Sequence, residues 1–251
     1  MDAYKLKWIA IIGMVLSHVV IAWWEIIPIP LAVPLAMAGG LTFPIMAYFV
    51  VEGYRYTSNV RRYVFRMFVF GVISIPFHIL TFRMFAFNIM FTLIVGVLCL
   101  ILYDKIKIRP LFWLLFIFIS LLTMVPVMFD WSVIGVIVIL LFHIIRNEKS
   151  RRIIPPIVAG VYMTALTLFM AWTFTHPYIE VHMATYDFEL SLASTAALGG
   201  FIASAVLLMK FNGERGKRMK WFFYAFYPAH LAILGIVSLA LGLVDFSVFG
   251  F

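Results

Sequence analysis

Nine apolar stretches, each close to the length that crosses a bilayer, constrain this chain more than any other feature. A hydrocarbon core about 30 Å thick needs roughly 20 helical residues to span it. The stretches are 7–27, 32–54, 63–82, 85–103, 111–129, 131–146, 154–174, 189–209 and 221–244. Only short polar segments separate them, with no Pro/Ser-rich linker, so residues 1–251 read as a single all-α domain: a polytopic membrane helix bundle. The chain is 65% hydrophobic and 12% charged, with mean hydropathy +1.09. Soluble proteins average about 45–50% apolar and about 25% charged, and a water-soluble domain of this size has too little interior to hide the excess. The first apolar run is too long for a removable signal peptide and lacks a small-x-small cleavage site. Stretches 111–129 and 131–146 are separated only by Asp130, which leaves two helices or a re-entrant hairpin open.

Charge gives the expected orientation. With the N-terminus in the cytoplasm, 18 of the 19 Lys and Arg residues fall on the inner side, and only Arg83 falls outside. Positive charge retained on the cytoplasmic side is the usual determinant of topology, so nine spans with N-in and C-out are expected in a bacterial inner membrane. The net charge of +8 then belongs to one membrane face, where it meets anionic lipid, and nucleic acid is not an expected partner. The single cysteine, Cys99, cannot form an intrachain disulfide. The expected outer loop from Thr175 to about Phe188 carries His176, Glu180 and His182, but no spacing there is diagnostic of a metal site, and no metal is expected.

Ionisable or strongly polar groups at membrane depth are costly and therefore mark candidate sites. His18 in the first span and His230 in the ninth are placed near mid-depth; an imidazole can take and return a proton near neutral pH. Asn88 and Thr92 lie one turn apart and share a helix face, as catalytic groups or as interhelical hydrogen-bond partners. His78 is a packing or substrate-facing histidine of the third span. His143 falls near the inner boundary, where an interfacial role suffices. Glu52 and Arg55 are three residues apart and can pair. Tyr224 and Tyr227 precede His230 across Pro228.

The order of these residues resembles the TraX family. Leu6-Lys-Trp-Ile-Ala-Ile-Ile-Gly-Met-Val-Leu-Ser-His18 is similar to its first span. Thr42-Phe-Pro-Ile-Met-Ala-Tyr-Phe-Val-Val-Glu-Gly53 resembles its Phe-Pro motif, Phe87-Asn-Ile-Met-Phe-Thr92 its Asn-x-x-Phe motif, and Ala225-Phe-Tyr-Pro-Ala-His-Leu-Ala-Ile-Leu234 its Phe-Tyr-x-x-His-Leu signature. Two positions differ from the usual pattern: Ser17 stands where many relatives have Asp, and Gly39-Gly40-Leu41 where many have a basic residue.

The resemblance implies an F-pilin-acetylase-like enzyme within the wider transmembrane acyltransferase group. It would move an acetyl group from cytoplasmic acetyl-CoA to the amino group of a pilin N-terminus or another peptide or amine. On that reading His18, His230 and Asn88 are the expected catalytic residues. Arg55, Arg61, Arg62, Arg66, Lys217 and Arg218 are expected at the donor's phosphates, and Glu52, Thr92, Tyr227 and His78 at the acceptor. The implied partners are lipid, acyl-CoA and the acceptor, with room for a homodimer. Two alternatives stay open, O-acetylation of an envelope glycan and small-molecule transport. Ion-coupled transport has few acidic groups at mid-depth to work with.

Overall fold

The computed structural model describes residues 1–24, 26–124, 129–175 and 188–244, without the side chains of 170–175, 188–194 and 220. Ten helices run through the described residues: α1 (Ala3–Ala22), α2 (Ile29–Gly39), α3 (Thr42–Tyr56), α4 (Val60–Phe82), α5 (Ile89–Lys105), α6 (Arg109–Leu122), α7 (Ser132–Ile144), α8 (Glu148–Thr175), α9 (Phe188–Met209) and α10 (Lys220–Ala240). Among the described residues, five stretches are long and apolar enough to cross a membrane: Ala3–Ala22, Ile29–Tyr56 (α2 and α3 taken together), Val60–Phe82, Glu148–Phe169 and Trp221–Ala240. The chain is thus a multi-pass helical membrane protein.

Several expected boundaries move. The second apolar run breaks into α2 and α3 around Gly40 and Leu41. The run 111–146 is two separate helices, α6 of 14 residues and α7 of 13. The helix expected from residue 85 begins only at Ile89 and has 17 residues. The first helix ends at Ala22, with Trp23 as its C-cap, ahead of Pro28 and Pro30. His18 therefore lies near the C-terminal end of α1 rather than at its middle. The outer loop carrying His176, Glu180 and His182 falls outside the described residues.

The chain packs as two compact units, Met1–Met46 with Asn147–Gly216, and Ala47–Arg146 with Lys217–Phe251. In the first unit α1 and α2 form an antiparallel hairpin. The Thr42 hydroxyl donates to the Ala10 carbonyl at 3.1 Å, and Gly13 lies against the Ala38 carbonyl. Gly40 and Gly200 let α2 and α9 meet backbone to backbone, since a Cβ on Gly200 would occupy the position of the Met37 carbonyl oxygen. Close approach through small residues is how helices associate where lipid supplies no hydrophobic drive. Gly39 rests on Ser17, so the two positions that depart from the usual family pattern touch each other.

In the second unit α10 packs along α4 and α5 along both α4 and α7. Phe70 stacks on Tyr224 with centroids 5.5 Å apart. Further along, the Thr81 hydroxyl donates to the Leu231 carbonyl at 2.8 Å, and Gly235 admits Leu80. Contacts advance together in sequence on both helices, so α4 and α10 run parallel.

Candidate active site

The second unit gathers five of the expected residues around α4, α5 and α10. His230 is the midpoint of the 21-residue α10 and is 5% exposed. Its ring stacks on Phe226 at 5.2 Å and meets Tyr227 at 5.4 Å. Its Nδ1 lies 3.0 Å from the Phe226 carbonyl oxygen. A carbonyl can only accept, so the neutral ring carries its proton on Nδ1. Nε2 is then the basic atom. This tautomer suits a general base, and backbone geometry alone imposes it.

Tyr227 is 2% exposed, and among the described residues its hydroxyl has no hydrogen-bond partner. The hydroxyl lies beside the Ile89 N–H and in the field of the Asp130 carboxylate. Asn88 caps α5 by accepting from the Met90 N–H at 3.1 Å, and its amide donates to the Gly71 carbonyl at 2.8 Å. Much of its hydrogen-bonding capacity is spent capping α5 and tying it to α4. Thr92, fully buried, donates to the Asp130 carbonyl. His78 is 4% exposed and packs edge-on against Phe82 at 4.8 Å; among the described residues its Nδ1 is without a partner.

Asp130 is the residue that the sequence did not single out. It looked like a loop charge between two spans. The structure makes it a hub. Its N–H donates to the Phe87 carbonyl at 2.8 Å, its carbonyl accepts from Thr92, and its carboxylate accepts from the Ile89 N–H. The next two residues, Trp131 and Ser132, have φ of 62° and 24°. Left-handed backbone is unusual for so bulky a residue as Trp and tends to be stored at functional sites. Gly71 is the midpoint of the 23-residue α4, so its bond to Asn88 sets the start of α5, and Asp130 with it, level with the middle of a membrane-length helix. An aspartate between two apolar runs gives no sequence signal of this depth.

The expected basic residues separate by environment. Arg61 and Arg62 are exposed in the first turn of α4, which Asn59 caps. Arg66 is half-buried. Its guanidinium lies 6.0 Å from the Tyr63 ring centre and 5.8 Å from that of Tyr224, within cation–π range, and bonds the Tyr224 hydroxyl. Its buried Nε–H has no partner among the described residues. Lys217 and Arg218 are exposed just before α10. Arg55 pairs with Glu52 at 3.7 Å and donates to the His143 carbonyl at 2.9 Å, so both are partly spent on structure. His143 is more than an interfacial residue: its Nε2 meets Asp104 at 2.9 Å, and Tyr54 donates to the same carboxylate at 2.7 Å, tying α3, α5 and α7. His18, half-buried on α1, belongs to the first unit, and His230 to the second.

Membrane-length helices around a buried imidazole, a buried phenol and a half-buried carboxylate define a class of multi-pass membrane protein with polar groups held inside a helical unit. The chain belongs to the TraX family, described as TraX protein, whose profile matches residues 3–238. A curated relative, the probable fimbrial assembly protein FimC, serogroup H1, of Dichelobacter nodosus, is 26% identical over 252 residues, covering 93% of this chain and 94% of its own length. No solved structure matches.

Proposed function

We infer that this protein is a membrane-embedded acetyltransferase that moves an acetyl group from cytoplasmic acetyl-CoA to an amine, with a pilin N-terminus as the acceptor that the fimbrial relative's name favours. The observation that carries this reading is His230: a buried imidazole at the midpoint of α10 with Nδ1 committed to the Phe226 carbonyl, leaving Nε2 to act as the base.

The chemistry follows from that tautomer. The acceptor nitrogen attacks the thioester carbonyl, so a C–N bond forms and the C–S bond breaks. The amine's proton passes to Nε2 of His230, and the imidazolium returns it to the departing thiolate, giving an amide and CoA thiol. Acetyl-CoA is an anion and docks from the basic face. Arg66, held between aromatic rings with an unanswered buried N–H, is the best-prepared phosphate ligand, because little side-chain freedom remains to be lost on binding. Arg61, Arg62, Lys217 and Arg218 supply longer-range attraction that salt screens. Cations in the first turn of α4 oppose the helix dipole, and an anion there relieves both. His18, on α1 of the first unit, is the other imidazole whose loss the assay reads.

The test is acetyl-CoA-dependent acetylation of a free-amine peptide by the purified protein, with His230→Ala and His18→Ala. Both variants should fold, and His230→Ala should lose about 100-fold or more, the lower range for a general base. Wild-type turnover in folded His230→Ala sinks the assignment.

A further inference from the structure

Towards its C-terminal end the buried stripe of α4 runs through Gly71, Ser74, His78 and Thr81. The Gly71 carbonyl accepts from the Asn88 amide at 2.8 Å. The Ser74 hydroxyl donates to the Phe70 carbonyl at 2.6 Å, and the Thr81 hydroxyl to the Leu231 carbonyl at 2.8 Å. His78 is the exception. It is 4% exposed, its ring lies edge-on to Phe82 one turn along the same helix, and its buried Nδ1 has no partner among the described residues. An imidazolium is costly at membrane depth, so the neutral ring is the form to be answered. Nδ1 then holds either an N–H or a lone pair, and either one is costly when buried without a bond. Phe70 and Thr81 bracket His78 on α4, and their partners on α10, Tyr224 and Leu231, bracket His230. The two imidazoles therefore belong to one segment of the parallel α4–α10 pair.

We propose that His78 is a hydrogen-bonding site for a secondary amide, the first peptide bond of the acceptor. The identification of that ligand as the acceptor rests on the acetyltransferase reading. A secondary amide is the uncharged group that answers Nδ1 in either tautomer: its C=O accepts from an N–H, and its N–H donates to a lone pair. A thioester has no donor, and a phosphate or an ammonium brings a charge that a neutral ring does not balance. Two ligands of the reaction carry secondary amides, a peptide acceptor and the pantetheine arm of the donor. The register favours the peptide. Arg66, assigned to the donor's phosphate, lies twelve residues before His78, about 18 Å along the helix at 1.5 Å per residue. An arm that brings its thioester to His230 keeps its amides on the Arg66 side of that level. In a peptide whose amine meets His230, the first amide follows within one residue. The site thus favours peptide N-termini over lysine side chains and simple amines.

The test measures binding without an acetyl donor, so its outcome is separate from whether the protein catalyses acetylation. Trialanine, isopropylamine and pantetheine are each titrated against the detergent-purified full chain, and thermal stabilisation is read. The wild type is compared with His78→Leu, which is close to histidine in volume and has no polar side-chain atom. Without ligand, His78→Leu should melt no lower than the wild type, because it removes an unanswered polar group rather than a bond. Trialanine should stabilise the wild type at lower concentration than isopropylamine does. His78→Leu should need about threefold to tenfold more trialanine, the scale of one neutral hydrogen bond, with its isopropylamine response unchanged. Should His78→Leu fail to accumulate, His78→Phe carries the ligand comparison. A lower melting temperature of His78→Leu, or failure of both variants to accumulate, would make the ring a structural residue and overturn the proposal. So would equal responses of the wild type to trialanine and isopropylamine, or a wild-type trialanine response in the apolar variant. A loss that falls on pantetheine instead would assign the amide to the donor's arm and overturn the acceptor site.

Discussion

Gly40 and Gly200 in the first unit and Asn88 and Thr81 in the second all bring helices together, but by different physics. In the first unit backbones meet chiefly because side chains are missing, with the Thr42 hydroxyl adding a bond to the Ala10 carbonyl. In the second, helices are joined by side chains that bond a neighbour's carbonyl, as Asn88 does to Gly71 and Thr81 to Leu231. The division extends to the interior. Among the described residues, the first unit's buried polar side chains are Arg151 and Ser204, whereas the second holds Ser74, His78, Thr81, Asn88, Thr92, Ser120, Thr123, His230 and Ser238. Dispersion between close backbones is cheap in lipid and chemically silent. Buried polar groups cost more and are kept where they act. The comparison teaches that the second unit holds the greater share of the buried polar side chains among the described residues, while the first is joined chiefly by close backbone contact.

The largest effect expected from this contrast is on turnover. His230→Gln should lower acetylation by about two to four orders of magnitude, the range for a general base, with little change in melting temperature. His18→Gln, near the end of α1, should lose less. Equal losses in the peptide assay would make the two units equal chemical partners and break the contrast. Next comes Gly200→Val, which drives a branched side chain into the Met37 carbonyl. About 3 kcal/mol of destabilisation is expected, the upper part of the usual overpacking range, measured by unfolding in detergent; a neutral result would show that the seam can open. Arg66→Gln should raise the KM for acetyl-CoA about tenfold at all salt concentrations, the scale of a charged hydrogen bond. The double change Arg61→Gln/Arg62→Gln should matter only at low salt. The smallest effect belongs to Thr81→Val, with about 0.6 kcal/mol lost, typical of an interhelical bond in a membrane, and unchanged turnover.

Long apolar runs made most helices legible in the sequence, because a period-independent excess of Leu, Ile, Val and Phe has only one economical conformation in lipid. Breaks inside a run were harder to see. Gly40 and Leu41 interrupt the ladder between α2 and α3 without any polar residue to announce it. His230, Tyr227, Asn88 and Thr92 were legible as polar groups in apolar surroundings. Their convergence was not, since it depends on how far α5 folds back along α4. Asp130 escaped for the same reason: adjacent to a predicted boundary, a carboxylate reads as solvated until the boundary proves to be level with the middle of Gly71's helix. His143 looked interfacial because its partner, Asp104, sits 39 residues away.

The short reach of α6 and α7 has a further consequence for the lipid around them. With 14 and 13 residues, each extends only about 20 Å at 1.5 Å per residue, and α6 presents Leu114, Ile117, Phe118 and Leu121 outward. Thinning of the bordering bilayer is one way lipid covers so short a flank. Local thinning on that flank would leave a polar group approaching α6 less hydrocarbon to cross than a full-length span leaves.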